Sequence, residues 1–278
     1  MDKVQLSKKL DETTYRIRAF ENGELFSEGS AFCFNHRGLL ITAAHVVDGC
    51  KPFDVSRFDE LNITIEANTK TGPIKLYRPN ICGITINWPT GSLKDNILID
   101  LAVLNPIETV NNIPFMEIED DLQPVGTDIL MAGFPDELEF PLKLDENAAI
   151  NHLKKVQSEK DIKSNLSRLK GMLIMKKSGM IGFSDDLIID PNLGDGFKLK
   201  IGVFYIDNGM HSGASGGPVI NSEGKVIGVI TKRAVTRVSY PDLENPNKDV
   251  PSGSTLAITP KTIIDFSKYQ ISKNEFQL

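Results

Sequence analysis

The chain has 278 residues, 40% of them hydrophobic and 24% charged, enough to bury a sizeable core in one large domain or two small ones. Its formal net charge of −6 excludes the clustered basic surface that nucleic-acid binding needs. No uncharged apolar run reaches the roughly 18 residues of a membrane helix, and residues 1–12 carry neither an apolar h-region nor a cleavage site, so a cytoplasmic protein with no membrane partner is expected.

In chain order, residues 1–12 are polar and read as a helical or frayed lead-in. Residues 14–20 alternate as a strand does, Glu21-Asn22-Gly23-Glu24 is a hairpin turn, and 26–34 returns as the partner. Asn35-His36-Arg37-Gly38 turns again and leaves His36 on the surface. An apolar strand over 39–45 ends at His45, 48–59 is a loop, and strands follow at 61–67, 74–77, 81–86 and 97–104. Short strands with such frequent turns predict an all-β barrel. Residues 105–123, polar and proline-bearing, suit a crossing to a second unit, with boundaries at 1–118 and 119–278.

Residues 125–134 open that second unit. Between 146 and 172 the period changes: Ile150, Leu153, Val156, Ile162, Leu166 and Leu169 fall on helical spacing amid charges, which predicts a helical insertion over about 140–178. Such an insert either docks a regulatory protein partner or decorates the surface; His152 sits on its charged side. Asp185, Asp186, Asp190 and Asp195 come next with a spacing that matches no calcium loop, so no metal is expected. Strands at 197–206, 218–220, 225–234 and 255–258 complete the unit, 241–254 is a polar, proline-rich loop, and Pro260 opens a closing helix to 269. Cys33, Cys50 and Cys82 are an odd set of three without C-x-x-C spacing, which indicates neither a zinc site nor a disulfide framework.

The chemistry concentrates in Gly209-Met-His-Ser-Gly-Ala-Ser-Gly-Gly-Pro218, where glycines let the backbone turn tightly and present Ser215. A serine hydroxyl is a weak nucleophile unless a base takes its proton and N–H groups hold the developing oxyanion. Gly213-Ala-Ser-Gly-Gly217 also fits the G-x-S-x-G elbow of α/β-hydrolases, but there the histidine comes after the serine. Here all four histidines precede it, and residues 218–230 read as strand, Ser-Glu-Gly turn, strand rather than as a helix.

The opposite order, histidine, aspartate, serine, is present in Ile41-Thr-Ala-Ala-His45, Asp100-Leu-Ala-Val-Leu104 and Gly213-Ala-Ser-Gly-Gly-Pro218. With these blocks the chain resembles the trypsin-like (chymotrypsin-fold) serine peptidases, most of all the HtrA/Deg-type catalytic domain. The resemblance implies two six-stranded antiparallel β-barrels, here with the helical insertion and a C-terminal helix, and no cofactor. It implies Ser215 as nucleophile, His45 as general base and then acid, and Asp100 as the group orienting the imidazole, Asp95 being the weaker candidate. Gly213 and Ser215 would donate the oxyanion-hole N–H groups, and Thr231 falls at the position that supports the aspartate.

By the same resemblance the substrate pocket is lined by Gly209–Ser212, Thr231–Arg233 and the strand near Thr255. Gly209 at its base disfavours Arg or Lys before the scissile bond. Met210 suits a small or medium apolar side chain, whereas His211, Lys232 and Arg233 suit an acidic one. Digestive members carry an aspartate where this chain has Ala214, so activation by N-terminal cleavage is not expected; nor is the PDZ domain that HtrA-like chains usually append. In secreted relatives a disulfide ties the histidine loop, which Cys33 and Cys50 flank here. The function expected is a serine endopeptidase acting on protein or peptide substrates, with a latent peptidase-fold binding module as the alternative and an esterase as a third.

Overall fold

The computed structural model describes residues 1–51, 53–86, 97–110, 112–136, 173–189, 198–239 and 247–275. The chain opens with helix α1, Lys3–Thr13, where Asp2 accepts from the Gln5 N–H and the Gln5 side chain returns to the Asp2 N–H, a closed capping box. Leu6 and Leu10, four residues apart on one face, are buried.

Strands β1 Thr14–Glu21, β2 Glu24–Cys33, β3 Leu40–Thr42, β4 Ile63–Thr69, β5 Lys75–Ile86 and β6 Ile97–Pro106 close a barrel in the order β1-β2-β3-β6-β5-β4. Asn22 and Gly23 both take positive φ, 52° and 82°, as a tight hairpin of this hand requires. The strands expected at 74–77 and 81–86 are one: β5 absorbs Pro79 and Gly83 (φ 71°) in two register shifts and continues. His45 does not end a strand but sits in a short helix, α2 (Ala44–Asp48), stopped by Gly49 in the left-handed region. Within the expected loop, Asp54 caps a 3-10 helix over Val55–Leu61.

The second barrel comprises β7 Asp128–Gly133, β8 Met175–Ile189, β9 Leu199–Ile206, β10 Pro218–Ile220, β11 Val226–Ser239 and β12 Asn247–Ile258, closed as β10-β11-β12-β9-β8-β7. β8 begins at Met175, so the last residues of the expected insertion are strand; most of the insertion, His152 included, lies outside the described residues. β11 runs past its expected end to Ser239 and β12 starts within the segment expected as a loop, because ladder pairing continues to Ser239 and from Asn247. Helix α3, Lys261–Glu275, runs past its expected end.

Both strand faces are buried in much of this arrangement. Ala31, Cys33 and Leu40 point into the first barrel with Ile17, Ile65 and Tyr77, while the alternate residues Phe32 and Ile41 point outward into a cluster shared by both barrels, with Leu10, Leu101, Leu130, Val229 and Ile263. The second interior holds Met131, Phe204, Ile206, Val219 and Ile230. Each such large side chain stabilises the fold by about 1.5–3 kcal/mol. The shared cluster matters most for function, since it presses the two barrels together along the seam where the candidate residues meet. Among the described residues no helix is long and apolar enough to cross a membrane.

Candidate active site

The ladder between β3 and β6 pairs Leu40 with Leu104 and Thr42 with Ala102. Extrapolating that register brings Asp100 opposite Ala44, where the chain has left the sheet for α2. The acid therefore meets the helix backbone and the imidazole together. One carboxylate oxygen accepts the His45 backbone N–H at 2.9 Å, and the other lies 2.7 Å from His45 Nδ1.

Two-point contact fixes the ring: with Asp100 on Nδ1, that nitrogen carries the proton and Nε2 is left as the base. The Asp100 side chain is only 15% exposed, and burial alone would push its pKa up. The hydrogen bond and charge of His45, its backbone N–H and the more distant Lys232 outweigh that and hold the carboxyl below its ordinary range. Asp95, the weaker candidate, lies outside the described residues.

A second acid stands nearby that sequence reasoning placed in a loop. Asp48 ends α2, one turn after His45, and is 8% exposed. Burial raises its pKa, the neighbouring Asp100 adds to that, and the Cys50 N–H, donated at 2.8 Å, and His45 offset part of it. Its i+3 spacing from His45 was the available signal.

Ser215 sits between β9 and β10 in two consecutive turns. Ala214 N–H donates to His211 O at 3.2 Å with Gly213 at φ 82°, and Gly217 N–H donates to Ala214 O at 2.9 Å with Gly216 at φ 84°. A positive φ at the third position of each makes both type II, the reason glycine stands at 213 and 216. The loop is stitched to the first barrel: Ser215 O accepts the Ser30 N–H at 2.8 Å, and a Cβ on Gly216 would collide with Ser30 O and Thr42 Oγ1 and come within 2.9 Å of Ala43 N. Ser215 thus lies against the segment that runs two residues on to His45.

The Ser215 hydroxyl donates to Thr231 O at 3.3 Å, and no hydrogen bond joins it to His45 among the described residues. Neither the Gly213 nor the Ser215 N–H is donated to any described group. Thr231 Oγ1 bonds Leu256 O at 3.3 Å instead of reaching Asp100, whose two oxygens are both occupied by His45.

Of the expected pocket residues, Met210 is 3% exposed and packs in the second interior, so a ligand would meet at most its edge. Its N–H bonds Thr255 Oγ1 at 2.9 Å. Lys232 and Arg233 are exposed on β11, and His211 is half-buried. Gly209 lies against Gly253, whose backbone a Cβ would approach to 3.1 Å, and its carbonyl is held at 2.6 Å by Lys177 Nζ, a residue sequence reasoning missed. Lys176 points to Asp11 on α1, so strand alternation turns Lys177 the opposite way, to the face of its partner Met131. All three cysteines are free; burial pushes the Cys33 thiol up to about 11.

The family model described as the trypsin-like peptidase domain matches residues 29–229. The chain belongs to that family. Within it, a stretch of 70 residues is 33% identical to the "Serine protease HtrA-like" protein of Staphylococcus aureus, and this match covers 25% of the chain and only 9% of that much longer relative. Two crystal structures of the M. tuberculosis Rv3671c protease share the fold. The inactive form has TM-score 0.52 at 15% identity over 94% of this chain and 89% of that one. The active form has TM-score 0.51 at 16% identity over 94% and 81%. The trypsin-like double barrel is thus the fold of the described residues, and the residues 29–229 matched by the family model contain His45, Asp100 and Ser215.

Proposed function

We propose that the chain is a serine endopeptidase that hydrolyses peptide bonds through a His45–Asp100–Ser215 triad and an acyl-enzyme. The observation that carries this reading is the paired contact of His45 with Asp100, at 2.9 Å and 2.7 Å, on the seam against the Ser215 loop. On substrate binding Ser215 Oγ leaves Thr231 O by rotation about its Cα–Cβ bond and gives its proton to His45 Nε2 as it attacks the carbonyl carbon. The tetrahedral oxyanion accepts the N–H groups of Gly213 and Ser215. Collapse breaks the C–N bond, and the leaving amine takes the proton from His45. Water then repeats the sequence on the ester, and Asp100 stays ionised throughout.

With Ala214 in place of an acid, control by a newly cleaved N-terminus has no anchor. Control through loop ordering or a protein partner at the insertion is part of this reading, as is a reducing intracellular setting, which suits three free thiols. A second reading, a latent peptidase-fold binding module, is favoured by one observation: the Ser215 hydroxyl faces Thr231 O, not His45.

Labelling by a fluorophosphonate together with cleavage of an unfolded protein substrate decides between them. Wild-type protein is expected to do both and Ser215→Ala neither; wild-type labelling no greater than that of Ser215→Ala sinks the peptidase reading and leaves the binding module.

A further inference from the structure

The turn His211–Ala214 contains two peptide planes whose orientation decides whether a donor or an acceptor faces the reacting carbonyl. In a trans peptide the C=O and N–H point in opposite directions, and no cis peptide is present among the described residues. The Asp136 N–H holds Ser212 O at 3.1 Å, so the Gly213 N–H of that same peptide is aimed away from Asp136. The Ser30 hydroxyl holds Gly213 O at 2.8 Å, and the Ala214 N–H of that second peptide points back to His211 O at 3.2 Å. Rotating the Ser212–Gly213 peptide by half a turn would convert the type II turn to type I. It would put a carbonyl where Gly213 N–H now stands and strip Asp136 N–H of its acceptor.

The holding groups are themselves fixed. Ser30 is fully buried on β2 of the first barrel, and its oxygen accepts the Phe134 N–H at 2.8 Å while its proton goes to Gly213 O. Phe134 and Asp136 straddle Pro135, whose ring locks φ, so the two donors keep a set spacing. The Asp136 carboxylate also accepts the Ser212 hydroxyl at 3.1 Å. Gly213 lies directly on this segment: a Cβ there would strike Phe134 O and sit 2.7 Å from Asp136 N.

We propose that Ser30 and Asp136 are positioning residues, a clasp that locks the 211–214 turn with the Gly213 N–H facing the oxyanion position. The clasp takes the place of the acid missing at Ala214, and because Ser30 belongs to the other barrel it makes donor geometry depend on how the barrels seat. The inference rests on the peptidase reading for its kinetic consequence, though not for its structural one.

The test uses the full chain with Ser30→Ala and Asp136→Ala, followed by amide hydrogen exchange at Phe134 and residues 212–214 and by steady-state hydrolysis of a peptide that the wild type cleaves. Removing one oxyanion donor outright costs about 10²–10³-fold in kcat, and misaiming one should cost less. Ser30→Ala is expected to lower kcat about 10–100-fold with KM changed less than about threefold, and to speed exchange at Phe134 and Ala214. Asp136→Ala, on an exposed side chain, is expected to lower kcat about 3–10-fold and to speed exchange at 212–214. A folded Ser30→Ala protein with wild-type kcat and exchange overturns the clasp, as does a loss confined to KM. If Ser30→Ala does not fold, Ser30→Cys takes its place, keeping the shape while weakening the bond to Gly213 O. Asp136→Ala removes only the acceptor of the Ser212 hydroxyl, and wild-type exchange and kcat in both Ser30→Cys and Asp136→Ala then overturn the clasp. Wild-type protein without Ser215-dependent turnover would instead sink the peptidase reading; faster exchange in the variants would then still support the clasp.

Discussion

His45 and Asp100 belong to one barrel and meet through adjacent paired strands, whereas Ser215 comes from the other and is held by groups drawn from both. The first half of the site follows from a β3–β6 register that already exists within one sheet. The second needs Ser30, Thr42, Phe134, Asp136 and Ile230 to arrive together around a glycine-rich loop. A perturbation of the first half should therefore cost chemistry while leaving the fold intact. A perturbation of the loop's close approach should cost the fold itself.

The largest effect expected is on the acid–base pair. Asp100→Asn should lower kcat about 10⁴-fold, because an amide in place of the carboxylate favours the wrong imidazole tautomer, and steady-state hydrolysis with circular dichroism checks that the fold survives. Next comes the seam. Gly216→Ala should destabilise by about 3 kcal/mol or more in urea unfolding, since it adds both a left-handed φ penalty and a collision with the first barrel. Gly23→Ala shares the positive φ, 82°, but has nothing within 4 Å of the added Cβ, and should cost only about 1 kcal/mol. Equal losses at the two glycines would erase the distinction drawn between the loop and the surface turn.

The smallest effect separates two acids beside one imidazole. Asp100 has its pKa lowered in the fold, so its ionisation contributes stability above the unfolded value of about 3.9 that is lost as pH falls through the lower folded value. Asp48 has its pKa raised, so its favourable neutral form is fully present below the unfolded pKa and is lost as pH rises through the folded one. Asp48→Asn can keep the acceptor for Cys50 N–H. It should match the wild-type melting temperature near about pH 3.5 and exceed it near about pH 7.5. A melting temperature below that of wild type at the higher pH would show that the ionised carboxylate is a net stabiliser.

Much of this was legible from residue pattern. Alternation marked β1 and β4, the Asn22-Gly23 turn marked β2 as the returning partner of β1, an apolar run marked β6, and the order of His45, Asp100 and Ser215 along the chain separated a two-barrel site from a nucleophile elbow. The features that went unread have physical causes. Pro79 looks like a strand end, yet a bulge lets β5 pass through it because β6 supplies the ladder before and after it. The apolar Ala44-His45-Val46-Val47 run suits strand and short helix alike, and only packing under the barrel chose the helix. Ser30 and Asp136 carry no local signature: their partners lie 183 and 76 residues away in sequence.

The sequence by itself determined an all-β chain with a serine presented by glycines behind a histidine and an aspartate, because period, turn chemistry and residue order are properties of short segments. Tertiary structure alone decided which way each peptide of the 211–214 turn faces, where the Ser215 hydroxyl points and which acids lie buried beside His45. Those outcomes depend on hydrogen bonds and desolvation between segments that become neighbours only once two barrels have closed and seated on a common apolar cluster.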